Sequence, residues 1–109
     1  MKDEMSTCRT INITEAKDLI ETGKVIVADI RDRESYMLSH IPDAINLTKD
    51  NFEEFKKNTD PDETILIYCY HGINSQDATQ YLTNLGYENV YSLEAVFQSI
   101  QNIIFNYQD

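Results

Sequence analysis

The 109-residue chain predicts an α/β domain with a parallel sheet sandwiched by helices. Two observations carry that prediction. Short apolar runs alternate with amphipathic, helix-length segments along the whole chain. The two strongest runs, "KVIVADI" and "TILIY", show no polar alternation, as expected of strands covered on both faces. Strands separated by helices join through right-handed crossovers, which makes a parallel sheet of five strands in a three-layer α/β/α arrangement.

The elements follow in order. "CRTINI" is a short first strand. "TEAKDLIETG" is a helix, with Thr14 as N-cap and Gly23 as its C-terminal stop. "KVIVADI" is the second strand, "RESYMLSH" a short helix ended before Pro42, and "AINL" a short third strand. "KDNFEEFKKN" is an amphipathic helix with Phe52 and Phe55 on one side. "TILIY" is the fourth strand. "SQDATQYLTNLG" is a helix with Ala78, Tyr81, Leu82 and Leu85 on one face and Gly86 at its end. "NVYSL" is the last strand and "EAVFQSIQNIIF" the last helix. No repeat, linker or low-complexity stretch interrupts the series, so residues 1–109 read as one domain.

Nineteen acids against nine bases give a net charge of -10. A polyanion such as DNA or RNA is a poor partner for such a chain. The acidity suits solubility first, and docking of a basic partner protein second. No apolar run approaches the roughly 20 residues that span a membrane. "MKDEMSTCRT" holds no apolar signal core, which leads us to expect a cytoplasmic protein. The two cysteines, Cys8 and Cys69, form neither a disulfide framework nor a metal quartet. His40 and His71 have no ligand spacing to them, so no metal is expected.

Cys69 stands where the fourth strand gives way to a helix. In open parallel sheets the functional crevice lies beyond such strand ends. Cys69, Tyr70, His71, Gly72, Ile73 and Asn74 make a short loop, and Ser75 begins the helix. Gly72 permits backbone conformations that other residues resist. A tight loop feeding a helix can turn its N–H groups inward as an anion cradle, and the helix N-terminus adds positive potential. A sulfur at the centre is then stabilised as the nucleophilic thiolate, with a pKa below the usual value of about 8.5. The bland readings stand beside this one. A cysteine at a strand end is as readily an inert small hydrophobe. Ser75 serves equally as a plain N-cap, and a loop histidine is more often solvated than a general base. Cysteine phosphatases place an arginine six residues after the cysteine to clamp phosphate. Ser75 stands there instead, and no arginine follows Arg33.

Several stretches together resemble the rhodaneses, or thiosulfate sulfurtransferases, and among them the single-domain GlpE type. "VADIRDRESYMLSHIPDAINL" resembles that family's Asp-x-Arg element and the Gly-His-Ile-x-x-Ala-like element after it, through Asp29, Arg31, His40, Ile41 and Ala44. "CYHGINS" resembles the active loop, and "YLTNLGYENVYSLEAVF" the helix, turn and last strand. The resemblance implies a rhodanese-like domain that moves sulfane sulfur from thiosulfate, or a persulfide donor, to cyanide or a thiol. Cys69 is then the sulfur carrier, and the backbone from Tyr70 through His71, Gly72, Ile73 and Asn74 to Ser75 binds the substrate. Asp29 and Arg31 are structural support, and no cofactor is needed. A thiol-bearing protein is a further partner of this chemistry. Two departures are visible. Ala95, Val96 and Ile100 stand where the family usually has Gly-Gly and a tryptophan, which implies a narrower, more apolar mouth and weaker thiosulfate use. Asn74 stands where many members have arginine. The competing expectation is a rhodanese-like binding module with little thiosulfate activity. A cysteine phosphatase or arsenate reductase, lacking its arginine, is a more distant one.

Overall fold

The computed structural model describes residues 9–70 and 74–94. Its first strand, β1 (Thr10–Ile11), is shorter than the sequence suggests because Asn12 is already the cap of α1 (Ile13–Glu21). The Asn12 side chain accepts from the Glu15 N–H at 2.8 Å, and the Glu15 carboxylate accepts from the Asn12 N–H at 2.9 Å. This reciprocal box satisfies two otherwise orphaned donors, which a Thr14 cap cannot match. The helix stops at Gly23, whose φ of 72° suits glycine.

β2 (Val25–Asp29) leads through α2 (Arg33–Leu38) to β3 (Ile45–Asn46). α3 (Phe52–Asn58) buries Phe55 and leads to β4 (Thr64–Tyr68). α4 (Asn74–Asn84) begins one residue earlier than expected and returns the chain to β5 (Asn89–Leu93). The expected last helix, with Ala95, Val96 and Ile100, lies outside the described residues.

The five strands form one parallel sheet in the order β1-β5-β4-β2-β3, as the alternation predicted. Alternate residues of the central strand face opposite layers. Leu66 and Tyr68 pack with Ala16 of α1, Ile41 and Leu93, with Tyr36 of α2 against that cluster. Ile65 and Ile67 pack with Phe55 of α3, Leu82 of α4 and Val90. All four of these β4 residues are fully buried, each such apolar side chain contributing about 1.5–3 kcal/mol. The path from β2 runs outward to β3, whereas that from β4 runs to β5 on the other side. The sheet order therefore reverses between the carboxyl ends of β2 and β4, where crevices form in such folds.

The inner face of α4 differs from the expected one. Ser75, Thr79 and Leu82 are buried, whereas Tyr81 and Leu85 are exposed. Tyr81 instead faces Phe52 of α3 at 5.6 Å between ring centroids. The two rings line an open groove of about 590 Å³ between α3 and α4, floored by Ile30, Leu47 and Leu82.

Candidate active site

The alternation of β4 decides where Cys69 points. Ile65 and Ile67 face α4, so Cys69, two residues on, continues that face at the strand's carboxyl end. Its side chain is buried, and the Ser75 N–H, in the first turn of α4, donates to its Sγ at 3.2 Å. The expected loop thus closes across Cys69 and Ser75, and the donor comes from a helix start, where N–H groups lack partners within the helix. His71, Gly72 and Ile73 lie outside the described residues, as does Cys8. Asn74 is exposed on the first turn.

Ser75 is not a cap. Its hydroxyl lies 2.6 Å from the Ser92 hydroxyl of β5, and both residues are fully buried. Ser92 is a site residue that sequence reasoning missed. Its one signal is a hydroxyl among the apolar inward positions of "NVYSL".

Tyr70 leaves the strand end in the other direction. Its hydroxyl meets that of Ser35 at 2.7 Å, and Ser35 in turn bonds Asp32, the N-cap of α2. Bonds from the Ser35 hydroxyl, and then from its N–H, hold the Asp32 carboxyl below its usual range. The Arg31 guanidinium stands over the Tyr70 ring at 5.2 Å and the Tyr68 ring at 5.7 Å. Ser35 too was missed, because its contact spans 35 positions of sequence.

Beneath Tyr70, Asp29 and Arg31 form a buried ion pair. Asp29 accepts from the Arg31 backbone N–H at 2.9 Å, from Nε at 3.0 Å and from Nη2 at 2.7 Å. Nη2 also donates to the Ser39 carbonyl. Burial alone pulls the guanidinium pKa down, but the hydrogen bonds and charge of Asp29 outweigh it and hold it above its ordinary value. Asn46 ties the two backbones together, donating to the Asp29 and Arg31 carbonyls at 3.0 and 2.9 Å. The Tyr68 hydroxyl accepts from the Ile41 N–H at 3.0 Å. Burial raises the Tyr68 phenol far above its usual value, and the Asp29 charge pushes the same way. His40 stacks on Tyr36 at 3.9 Å, and its Nδ1 pairs with the Tyr36 carbonyl at 2.7 Å, below the site. Among the described residues no cluster of three or more His, Cys, Asp or Glu could hold a metal ion.

A cysteine sulfur at the carboxyl end of a central parallel strand, under a helix N-terminus, suits nucleophilic sulfur chemistry. Comparison with known proteins bears on the family. The Rhodanese-like domain family matches residues 12–102. The chain belongs to the rhodanese-like domain family. Thiosulfate sulfurtransferase GlpE of Coxiella burnetii is 36% identical over 91 residues, which cover 84% of this chain and 85% of that protein. The GlpE protein of Vibrio cholerae is 38% identical over 89 residues, covering 82% and 84%. Among solved structures, the rhodanese-like domain of the Anabaena Alr3790 protein superposes with a TM-score of 0.75 at 22% identity, covering 86% of this chain and 74% of that one. That likeness shows the rhodanese-like fold. No helix among the described residues is long and apolar enough to cross a membrane.

Proposed function

We propose that this rhodanese-like domain is a thiosulfate sulfurtransferase with Cys69 as its sulfur carrier. The observation that carries the reading is the Ser75 N–H donating to the Cys69 sulfur at the carboxyl end of β4. The GlpE relatives, similar over more than four-fifths of both chains, support the substrate class.

The Cys69 thiolate attacks the outer sulfur of thiosulfate. A bond forms between the two sulfurs, and the sulfur–sulfur bond of thiosulfate breaks with its electron pair leaving on sulfite. Cys69 is left as a persulfide anion. Cyanide or a thiolate then attacks the outer sulfur of the persulfide, and the electron pair returns to Cys69. One negative charge stays on the enzyme throughout, on Sγ in the thiolate and on the outer sulfur in the persulfide, and the positive end of α4 favours it in both. Tyr70, His71, Gly72, Ile73, Asn74 and Ser75 hold the donor through backbone amides. Asp29 and Arg31 support the loop through the Arg31 contact with Tyr70. The cytoplasm, whose thiol pool keeps cysteines reduced, suits this chemistry.

The test is thiocyanate release from thiosulfate and cyanide. Cys69→Ala abolishes it and Cys8→Ala leaves most of it. Turnover that persists in Cys69→Ala removes the assignment. Turnover lost in the wild type, with the fold intact, favours a binding module instead. Aryl phosphate hydrolysis stays negligible, because Ser75 occupies the position of the phosphatase arginine.

A further inference from the structure

Ser92 is fully buried near the carboxyl end of β5. A buried hydroxyl normally requires a hydrogen-bond partner. Its partner is the Ser75 hydroxyl at 2.6 Å, and Ser75 is the residue whose N–H reaches Cys69. Ser92 pairs in register with Ile67, two residues before Cys69 on the same face of the sheet. A hydroxyl on β5 therefore holds the donor for a sulfur at the end of β4.

Among the described residues, the large buried side chain of α4 lies well beyond that first turn. Its buried residues there are small: Ser75, then Thr79, with Leu82 the first large side chain on the sheet side. Thr79 Oγ1 has no hydrogen-bond partner among the described residues. The Ser75–Ser92 pair is thus a directional contact that ties this turn to β5, as the Ser75 N–H ties it to the end of β4.

We propose that Ser92 is a positioning residue for the Cys69 thiolate, acting through Ser75 to keep the first turn of α4 bearing on the sulfur. This rests on the reading of Cys69 as the sulfur carrier, yet its test needs no thiosulfate. Alkylation of Cys69 by iodoacetamide in the full chain is followed against pH by peptide mass, so that Cys8 does not contribute. Ser92→Ala raises the midpoint by about half a pH unit or more as the N–H loosens from the thiolate. Ser75→Ala gives a similar rise, and the double variant rises no further than either, because each removes the same pair. Thr79→Val changes the packing one turn along the same face and leaves the midpoint in place. The titratable groups of the described residues beside the loop, Asp29, Arg31, Tyr68, Tyr70 and Asp77, are unchanged in every variant. Thermal melts check folding, and if Ser92→Ala does not fold, Ser75→Ala carries the comparison. Unmoved midpoints in the folded variants, additive shifts in the double variant, or an equal shift in Thr79→Val overturn the proposal. Sulfur uptake separates the two readings. Midpoint shifts without uptake leave the positioning role standing and remove the transferase reading; uptake without shifts does the reverse.

Discussion

Asp29→Ala removes the carboxylate from a pair whose side chains are 0% and 2% exposed. Arg31 then keeps its bond to the Ser39 carbonyl and its place over two tyrosine rings, but loses the neutralising charge, three side-chain bonds of 2.7, 3.0 and 3.1 Å, and the acceptor of its backbone N–H. An exposed pair is worth less than about 1 kcal/mol. Breaking a buried pair by removing one partner costs about 3–5 kcal/mol, because the remaining charge is stranded. Against a typical stability of about 5–15 kcal/mol, that is a large fraction. A chain of this size melts about 4 °C lower per kcal/mol, so Tm falls by about 10–20 °C. Urea melts at neutral pH followed by circular dichroism measure the loss directly. Asp29→Asn, which keeps an acceptor, loses less. Asp29→Ala with Arg31→Met recovers much of the loss, since no charge is left buried. A loss below about 1 kcal/mol in Asp29→Ala would mean that the pair behaves as if solvated rather than buried.

Three further outcomes follow from the site. Asn74 is exposed on the first turn of α4, so Asn74→Arg sets a fixed cation near the mouth and lowers the KM for dianionic thiosulfate several-fold at low salt, with less gain as salt screens it. An unchanged KM at low salt contradicts this. Cys69 alkylation in the wild type has its midpoint below about 8.5, from the Ser75 N–H and the start of α4; a midpoint at or above that value means that burial outweighs them. Tyr68 has a raised folded-state pKa, so its contribution is complete below about pH 10 and is lost as pH rises beyond it, where the unfolded phenol ionises and the folded one does not. Tyr68→Phe reduces that alkaline loss while costing about 1–3 kcal/mol at neutral pH, because the buried Ile41 N–H loses its acceptor. Urea melts near neutrality and at about pH 11 check both parts, and an undiminished alkaline loss in the variant contradicts the assignment to Tyr68.

The layers of the fold were legible because strand and helix periods differ, and because "KVIVADI" and "TILIY" are apolar on both faces. The place of Cys69 at the end of β4 was legible because a break at such a strand's end has a position as well as an identity. Details that depend on close contact were not legible. Thr14 and Asn12 are both good caps, and only the reciprocal bonding with Glu15 separates them. Apolar spacing put Tyr81 and Leu85 on the inner face of α4. The helix lies on the sheet through the hydroxyl residues Ser75 and Thr79 instead, leaving Tyr81 to meet Phe52. Ser92 and Ser35 became visible only once strand register and the α2 terminus brought them to Ser75 and Tyr70.

The central claim is that Cys69 carries sulfur, and intact mass after incubation with thiosulfate and removal of excess donor tests it most directly. Wild type and Cys8→Ala each become heavier by one sulfur atom, cyanide erases the gain, and Cys69→Ala stays unchanged. An unmodified wild type, or a sulfur retained in Cys69→Ala, would contradict it.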